Sequence, residues 1–172
     1  MLPGRLESKR QQGYSIAELP AGLILLFIGI FIPLMILASI SYRVSLLYFA
    51  TRDSCIRAAK APTFTAAQLK AQTTLARDIA AFSELAGSET IQIMTKPLSG
   101  GSATFSSVRL PPNSVDTNNN IYFIKETVNG TVAPLVTMKP SYFGSSIPGL
   151  TASFNVQMTF EAYVENPNGL TQ

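Results

Sequence analysis

The 172-residue sequence has no histidine, a single cysteine and few charged residues, which make up 13% of the chain. Histidine is the commonest metal ligand and the commonest general base, so its absence removes both roles in their usual form. Cys55 has no second cysteine with which to form a disulfide inside the chain. No serine lies in a G-x-S-x-G motif, and no histidine is present to activate one. We therefore expect a protein that is not an enzyme and that has no cofactor or metal site.

The chain also lacks a cluster of basic residues in its soluble part. The formal charge is +3, and residues 1–13 contribute +2 of it through Arg5, Lys9 and Arg10 against Glu7. The remaining residues carry 10 basic and 9 acidic side chains. Nucleic-acid binding needs a basic patch or stripe, so we expect no nucleic-acid partner.

What the sequence does have is a long apolar segment, Leu19–Ile40, inside a run of 24 uncharged residues between Glu18 and Arg43. A helix of about 20 residues, rising about 1.5 Å per residue, crosses the roughly 30 Å hydrocarbon core of a bilayer. The segment therefore predicts a transmembrane helix in a lipid bilayer. Pro33 has no amide hydrogen and would clash with the carbonyl of Gly29, which predicts a kink or an opened turn.

The helical pattern continues beyond the membrane segment to about Ala61, where Pro62 ends it. A second helix is predicted over residues 63–87, with a capping box formed by Thr65 and Gln68 and a stop at Gly87. Cys55 lies on the first helix, where it is either a small packing residue or, outside the cytoplasm, a partner for an intermolecular disulfide.

From residue 88 onward the apolar residues alternate with polar ones, which indicates β-strands. Asn129-Gly130 predicts a hairpin between strands over 121–128 and 131–136. The clearest strand is 151–164, whose length predicts a bulge or a bend. We expect a small antiparallel sheet over 88–172 packed on the helices, which is an α+β fold.

The residues before the apolar segment form a recognisable pattern of Gly13, Tyr14 and Glu18, followed directly by the helix. This pattern resembles the leader of type IV prepilins. The resemblance implies that a prepilin peptidase cuts between Gly13 and Tyr14. It also implies that Glu18 is the assembly carboxylate, paired with the new α-amino group of an adjacent subunit. The alternative for Glu18 is a carboxylate in the headgroup region, which the helix dipole favours near a helix N-terminus.

The sequence GYSIAEL, the apolar span and the segment SCIRAA at 54–59 together resemble the TadE-like family of tight-adherence minor pilins. The resemblance covers Gln12 to Ala61 and implies a leader (1–13) and a transmembrane and extended pilin-like helix (14–61). The patterns described above add a soluble helix (63–87) and a β domain (88–172). It places the protein in a bacterial inner membrane, with the N-terminus cytoplasmic and the C-terminal domain periplasmic. The implied partners are the peptidase, other pilin subunits and the inner-membrane assembly platform. The alternatives are a type II secretion pseudopilin and an unprocessed, membrane-anchored binding protein.

Overall fold

The computed structural model describes residues 19–80, 85–134 and 152–172. Over these ranges the chain forms two helices and a four-stranded antiparallel sheet, which confirms the predicted α+β fold. The elements are α1 (Leu19–Ala59), α2 (Phe64–Ala80), β1 (Leu85–Pro97), β2 (Thr104–Ser106), β3 (Asn120–Val132), β4 (Phe154–Tyr163) and a C-terminal 3-10 helix (Pro167–Thr171).

Helix α1 contains the opened turn that Pro33 predicts. Phe27–Phe31 are π-helical, and the amide of Ile32 donates to the carbonyl of Phe27, five residues back. A proline at position 33 leaves the carbonyl of Gly29 without its usual amide donor, and a widened turn accommodates the ring. From Ile32 the helix is α-helical to Ala59, close to the predicted end before Pro62.

The sheet has the strand order β2-β1-β3-β4, and every neighbouring pair is antiparallel. Strands β1 and β3 pair over their full lengths, from Leu85 opposite Val132 to Pro97 opposite Asn120. Alternate side chains of β3, from Tyr122 to Val132, are buried, while those between them are partly or fully exposed. One face of the sheet therefore packs on the helices.

Two apolar clusters fill the space between sheet and helices. The lower cluster is built around Leu47, Ala50, Leu75, Leu85, Val128 and Val132. The upper cluster is built around Cys55, Ala58, Phe64, Ala67, Ala71, Ile91, Ile93, Ile124 and Leu170. Small residues recur on the buried face of α1, at Ala50, Ser54 and Ala58, and they let the helix backbone approach the sheet closely.

The C-terminal segment packs against the connection between α1 and α2. The amide of Phe64 donates to the carbonyl of Gln172 at 3.2 Å, and the amide of Glu165 donates to the carbonyl of Ala59 at 3.2 Å. A Cβ atom at Gly169 would lie 1.8 Å from the carbonyl oxygen of Pro62, so the backbones meet at a distance that only glycine permits.

The hairpin predicted at Asn129-Gly130 is wrong, because β3 runs through both residues without a turn. Asn129 accepts a hydrogen bond from Gln157 on β4 at 3.0 Å. A Cβ atom at Gly130 would lie 2.4 Å from Cδ2 of Leu47. The glycine is therefore explained by the close approach of a core leucine, and the long-range pairing of the sheet overrides the local turn preference.

Two boundaries of the second helix also differ from the prediction. The amide of Ala66 donates to Oγ1 of Thr63 at 3.1 Å, so the cap lies two residues before the predicted Thr65. Gly87 does not stop the helix, because it belongs to β1 and pairs with Gly130. The β domain thus begins at Leu85, since pairing with β3 extends β1 further than its alternation pattern indicates.

The predicted strand over 151–164 is observed as β4, which pairs with β3 in an uninterrupted register from Phe154 to Tyr163. Its even-numbered residues are half-buried and its odd-numbered residues are exposed, as the alternation predicts. No bulge interrupts the described pairing of β4. The strand is shorter than its sequence pattern, and Thr151 lies outside the described residues.

Candidate functional site

The residues predicted to act in processing and assembly, Gly13, Tyr14 and Glu18, lie outside the described residues. The described part of α1 begins at Leu19, the residue after Glu18. What the structure does describe is the helix that these residues precede, and its two halves have different surroundings.

The first half of α1 presents large apolar side chains outward. Between Leu19 and Leu34, all of them except the partly buried Ile32 are 46% to 73% exposed. The helix Leu19–Ala59 has 41 residues, and its most apolar window has a mean hydropathy of 2.9, so it is long and apolar enough to span a membrane. Exposing this surface to water is unfavourable by about 25 cal/mol per Å², so lipid or other apolar helices around the half-helix would be more favourable than water.

One face of the second half of α1 is buried against the sheet and α2. Leu47, Thr51 and Cys55 recur every four residues and are all at most 1% exposed. Near the junction of the two halves, Arg43 donates a hydrogen bond to the carbonyl of Ala133, just beyond β3. The same continuous helix therefore has exposed apolar side chains in its first half and is packed into the core of the β domain in its second half.

A titratable residue lies in this core, between the upper and lower clusters. Glu126 on β3 is 0% exposed, and its Oε1 atom is 2.6 Å from Oγ of Ser54 on α1. Its Oε2 atom has no hydrogen-bond partner in the described part of the chain. A buried carboxylate with one unpaired oxygen is costly, because the charge has lost its water without gaining a full set of donors.

The contacts of Ser54 indicate where the proton lies. Its Oγ is 2.6 Å from Glu126 Oε1 and 2.9 Å from the carbonyl oxygen of Thr51. A serine hydroxyl has one hydrogen, whereas a carboxylate and a carbonyl can only accept. Both contacts are hydrogen bonds at once when Glu126 is protonated, donates to Ser54, and leaves Ser54 free to donate to Thr51. The geometry therefore favours a neutral Glu126.

Electrostatics point the same way. Burial raises the pKa of the Glu126 carboxyl to about 7, and the nearby charge of Glu89 on β1 adds to the increase. A hydrogen bond that Ser54 donates to the ionised carboxylate lowers the pKa and offsets only part of this increase. Because the carboxyl is wholly enclosed, we expect its ionisation to change the stability of the helix–sheet packing.

Cys55, next to Ser54, has the properties of a packing residue. It is fully buried, and its thiol lies 3.4 Å from the carbonyl oxygen of Ile124. Burial raises the pKa of the thiol to about 12, so the reactive thiolate is scarce at neutral pH. This environment supports the packing interpretation over an intermolecular disulfide.

Glu126 was not among the residues that the sequence analysis singled out, although the sequence carries a signal for it. In β3 it occupies the same phase as Tyr122, Ile124 and Val128, which all face the core. A glutamate in phase with apolar residues predicts a buried carboxyl.

Comparisons with known proteins add no relative: no family model, no curated protein and no solved structure matches this chain. Within the described ranges, no group of three or more histidine, cysteine, aspartate or glutamate side chains could hold a metal ion.

Proposed function

We propose that this protein is a minor pilin or pseudopilin of the tight-adherence type, cut after Gly13 and active through helix-mediated assembly. In this proposal the first half of α1 anchors the subunit in a bacterial inner membrane and later packs among the helices of neighbouring subunits. The β domain lies on the periplasmic side. The protein acts in pilus biogenesis, adhesion or secretion by occupying a position in a filament, with no catalytic step of its own.

The observation that carries the proposal is the continuity of α1 from its exposed apolar half into the core of the β domain. A subunit that leaves the bilayer for a filament needs an apolar helix that can exchange lipid contacts for contacts with other helices. It also needs that helix to be fixed to its soluble domain. In this chain Leu47 and Ser54 provide the attachment, because both are completely buried under the sheet.

The chemistry proposed for assembly involves Glu18 and the α-amino group that cleavage would create at Tyr14. A carboxylate at the start of an apolar helix is unfavourable in lipid unless it pairs with an opposite charge or reaches the interface. Pairing with an amino group is strengthened where water is excluded. Such a pair between adjacent subunits would set their stagger, and uncleaved chains would lack the amino group at that position.

The proposal implies three kinds of partner: a prepilin peptidase that cuts at Gly13, other pilin subunits, and the membrane platform of the assembly machine. Deleting the gene for this chain in its native host tests the role directly. We expect the number of surface filaments per cell, counted by electron microscopy, to fall at least tenfold and to recover with a plasmid copy. Unchanged filament numbers in the deletion strain would contradict the proposal and favour an anchored binding protein.

A further inference from the structure

A cleft of about 300 Å³ opens between the end of α1 and the middle of α2, and its walls carry positive charge. Arg57 and Lys60 line it from the end of α1, and Lys70 and Thr74 line it from α2. Lys70 and Thr74 are four residues apart, which places them on one face of the helix. All four side chains can donate hydrogen bonds, and three of them are cations.

The acidic residues around this cleft only partly balance its charge. Asp53 accepts from Arg57 at 2.8 Å, and Glu165 lies 3.5 Å from Lys60. Both pairs are well exposed to solvent, where such interactions are weak and exchange readily. Lys70 has no ion pair in the part of the chain that the structure describes.

Asp53 is also shared with a second arginine at the edge of the cleft. Its Oδ2 lies 3.4 Å from Arg77, which binds Asp78 more closely, at 2.6 Å. One carboxylate therefore faces two guanidinium groups. The balance of charge around the cleft remains positive, and an incoming anion would reduce the repulsion among the cations.

Thr74 adds an uncharged hydrogen-bond donor to the three cations of the cleft. It is only 7% exposed, yet it lines the cleft. Its hydroxyl makes no side-chain hydrogen bond within the described ranges, in contrast to the neighbouring Thr73, which donates to the carbonyl of Leu69 at 2.8 Å. The Thr74 hydroxyl oxygen is not itself buried, so it is accessible from the cleft, where a bound oxyanion can accept its hydrogen.

We propose that this cleft binds a soluble phosphate-type oxyanion, either inorganic phosphate or a phosphate monoester. The guanidinium group of Arg57 can bind two oxygen atoms side by side, Lys60 and Lys70 supply charge, and Thr74 donates to a further oxygen. Arg57 lies 14 residues beyond Arg43, or about 20 Å along α1, which places the cleft out of reach of the headgroups of the host membrane. The site does not depend on cleavage or assembly.

The test uses the full chain in a maltoside detergent, which contains no phosphate. Thermal unfolding is followed by circular dichroism at pH 7.5, with sodium phosphate compared against sodium chloride at equal ionic strength. With a dissociation constant of about 1 mM, 20 mM phosphate raises the midpoint by about 4 °C through ligand linkage. A sugar phosphate at the same concentration distinguishes the two sources, because a larger shift identifies the monoester as the preferred ligand.

Two variants and one control locate the effect. Lys70→Gln removes a charge, and Thr74→Val removes the hydroxyl while keeping the shape, so each should abolish most of the phosphate-dependent shift. Thr74→Val should unfold no earlier than the wild type without phosphate, which separates ligand binding from a structural role. Lys96→Gln, at an exposed position on β1, should keep the full shift. Equal midpoints in phosphate and chloride, or a full shift in Lys70→Gln, would overturn the proposal.

Discussion

Replacing Glu18 by alanine should reduce surface filaments to the level of the deletion strain when the variant is the only copy of this chain in the cell. The proposed function gives Glu18 the role of pairing with the amino group of Tyr14 on a neighbouring subunit. Without that pair an incoming subunit has no electrostatic partner inside the apolar helix bundle, and assembly stops. Filament counts by electron microscopy measure the loss, which we expect to be at least tenfold.

The control separates assembly from insertion. Alanine makes the helix more apolar, so the amount of Glu18→Ala in the membrane fraction should stay within about twofold of the wild type. Glu161→Ala, which removes an exposed carboxylate from β4, should restore filaments fully. Normal filament numbers with Glu18→Ala would show that the carboxylate has only its alternative role in the headgroup region.

The second large effect concerns the buried Glu126. The folded-state pKa of about 7 lies above the ordinary glutamate value of 4.5, so the folded chain holds this proton more tightly than the unfolded chain. The stabilisation is therefore complete below about pH 4.5, declines as the pH rises towards 7, and is lost above that. A difference of this size corresponds to about 3 kcal/mol of unfolding free energy.

Glu126→Gln should remove this pH dependence. The glutamine amide can donate to Ser54 as the neutral acid does, but its second hydrogen lacks a partner, at a cost of about 1 kcal/mol. We therefore expect the variant to be slightly less stable than the wild type at pH 4.5 and about 2 kcal/mol more stable at pH 8. Urea unfolding of the full chain in detergent, followed by circular dichroism across this range, measures both differences.

Other groups titrate over the same range, so the informative quantity is the difference between wild type and variant at each pH. Glu161→Gln, at an exposed position on β4, is the matched control and should follow the wild type throughout. Parallel curves for the wild type and Glu126→Gln would mean that Glu126 keeps an ordinary pKa in the folded chain.

Features with local causes were predictable from the sequence. Pro33 alone is sufficient to predict an opened turn, because the missing amide affects a carbonyl four residues back in the same helix. Pro62 likewise predicts the end of α1, and the alternation over residues 154–163 predicts which side of β4 faces the helices. Each of these depends on residues close together in the chain.

Features with distant causes were not predictable in the same way. Asn129-Gly130 is a strong local turn signal, yet the pairing of β3 with two neighbouring strands and the proximity of Leu47 keep it extended. The contact between Glu126 and Ser54 joins residues 72 positions apart. The phase of Glu126 along its strand indicates burial, but the identity of its partner depends on how α1 lies across the sheet.

The central claim, that this chain is a processed pilin, is tested most directly by the intact mass and N-terminal sequence of the protein purified from its native membrane. The account predicts a chain that begins at Tyr14 and has lost the mass of residues 1–13. A chain that still begins at Met1, in cells with an active prepilin peptidase, would contradict the claim and leave a membrane-anchored binding protein.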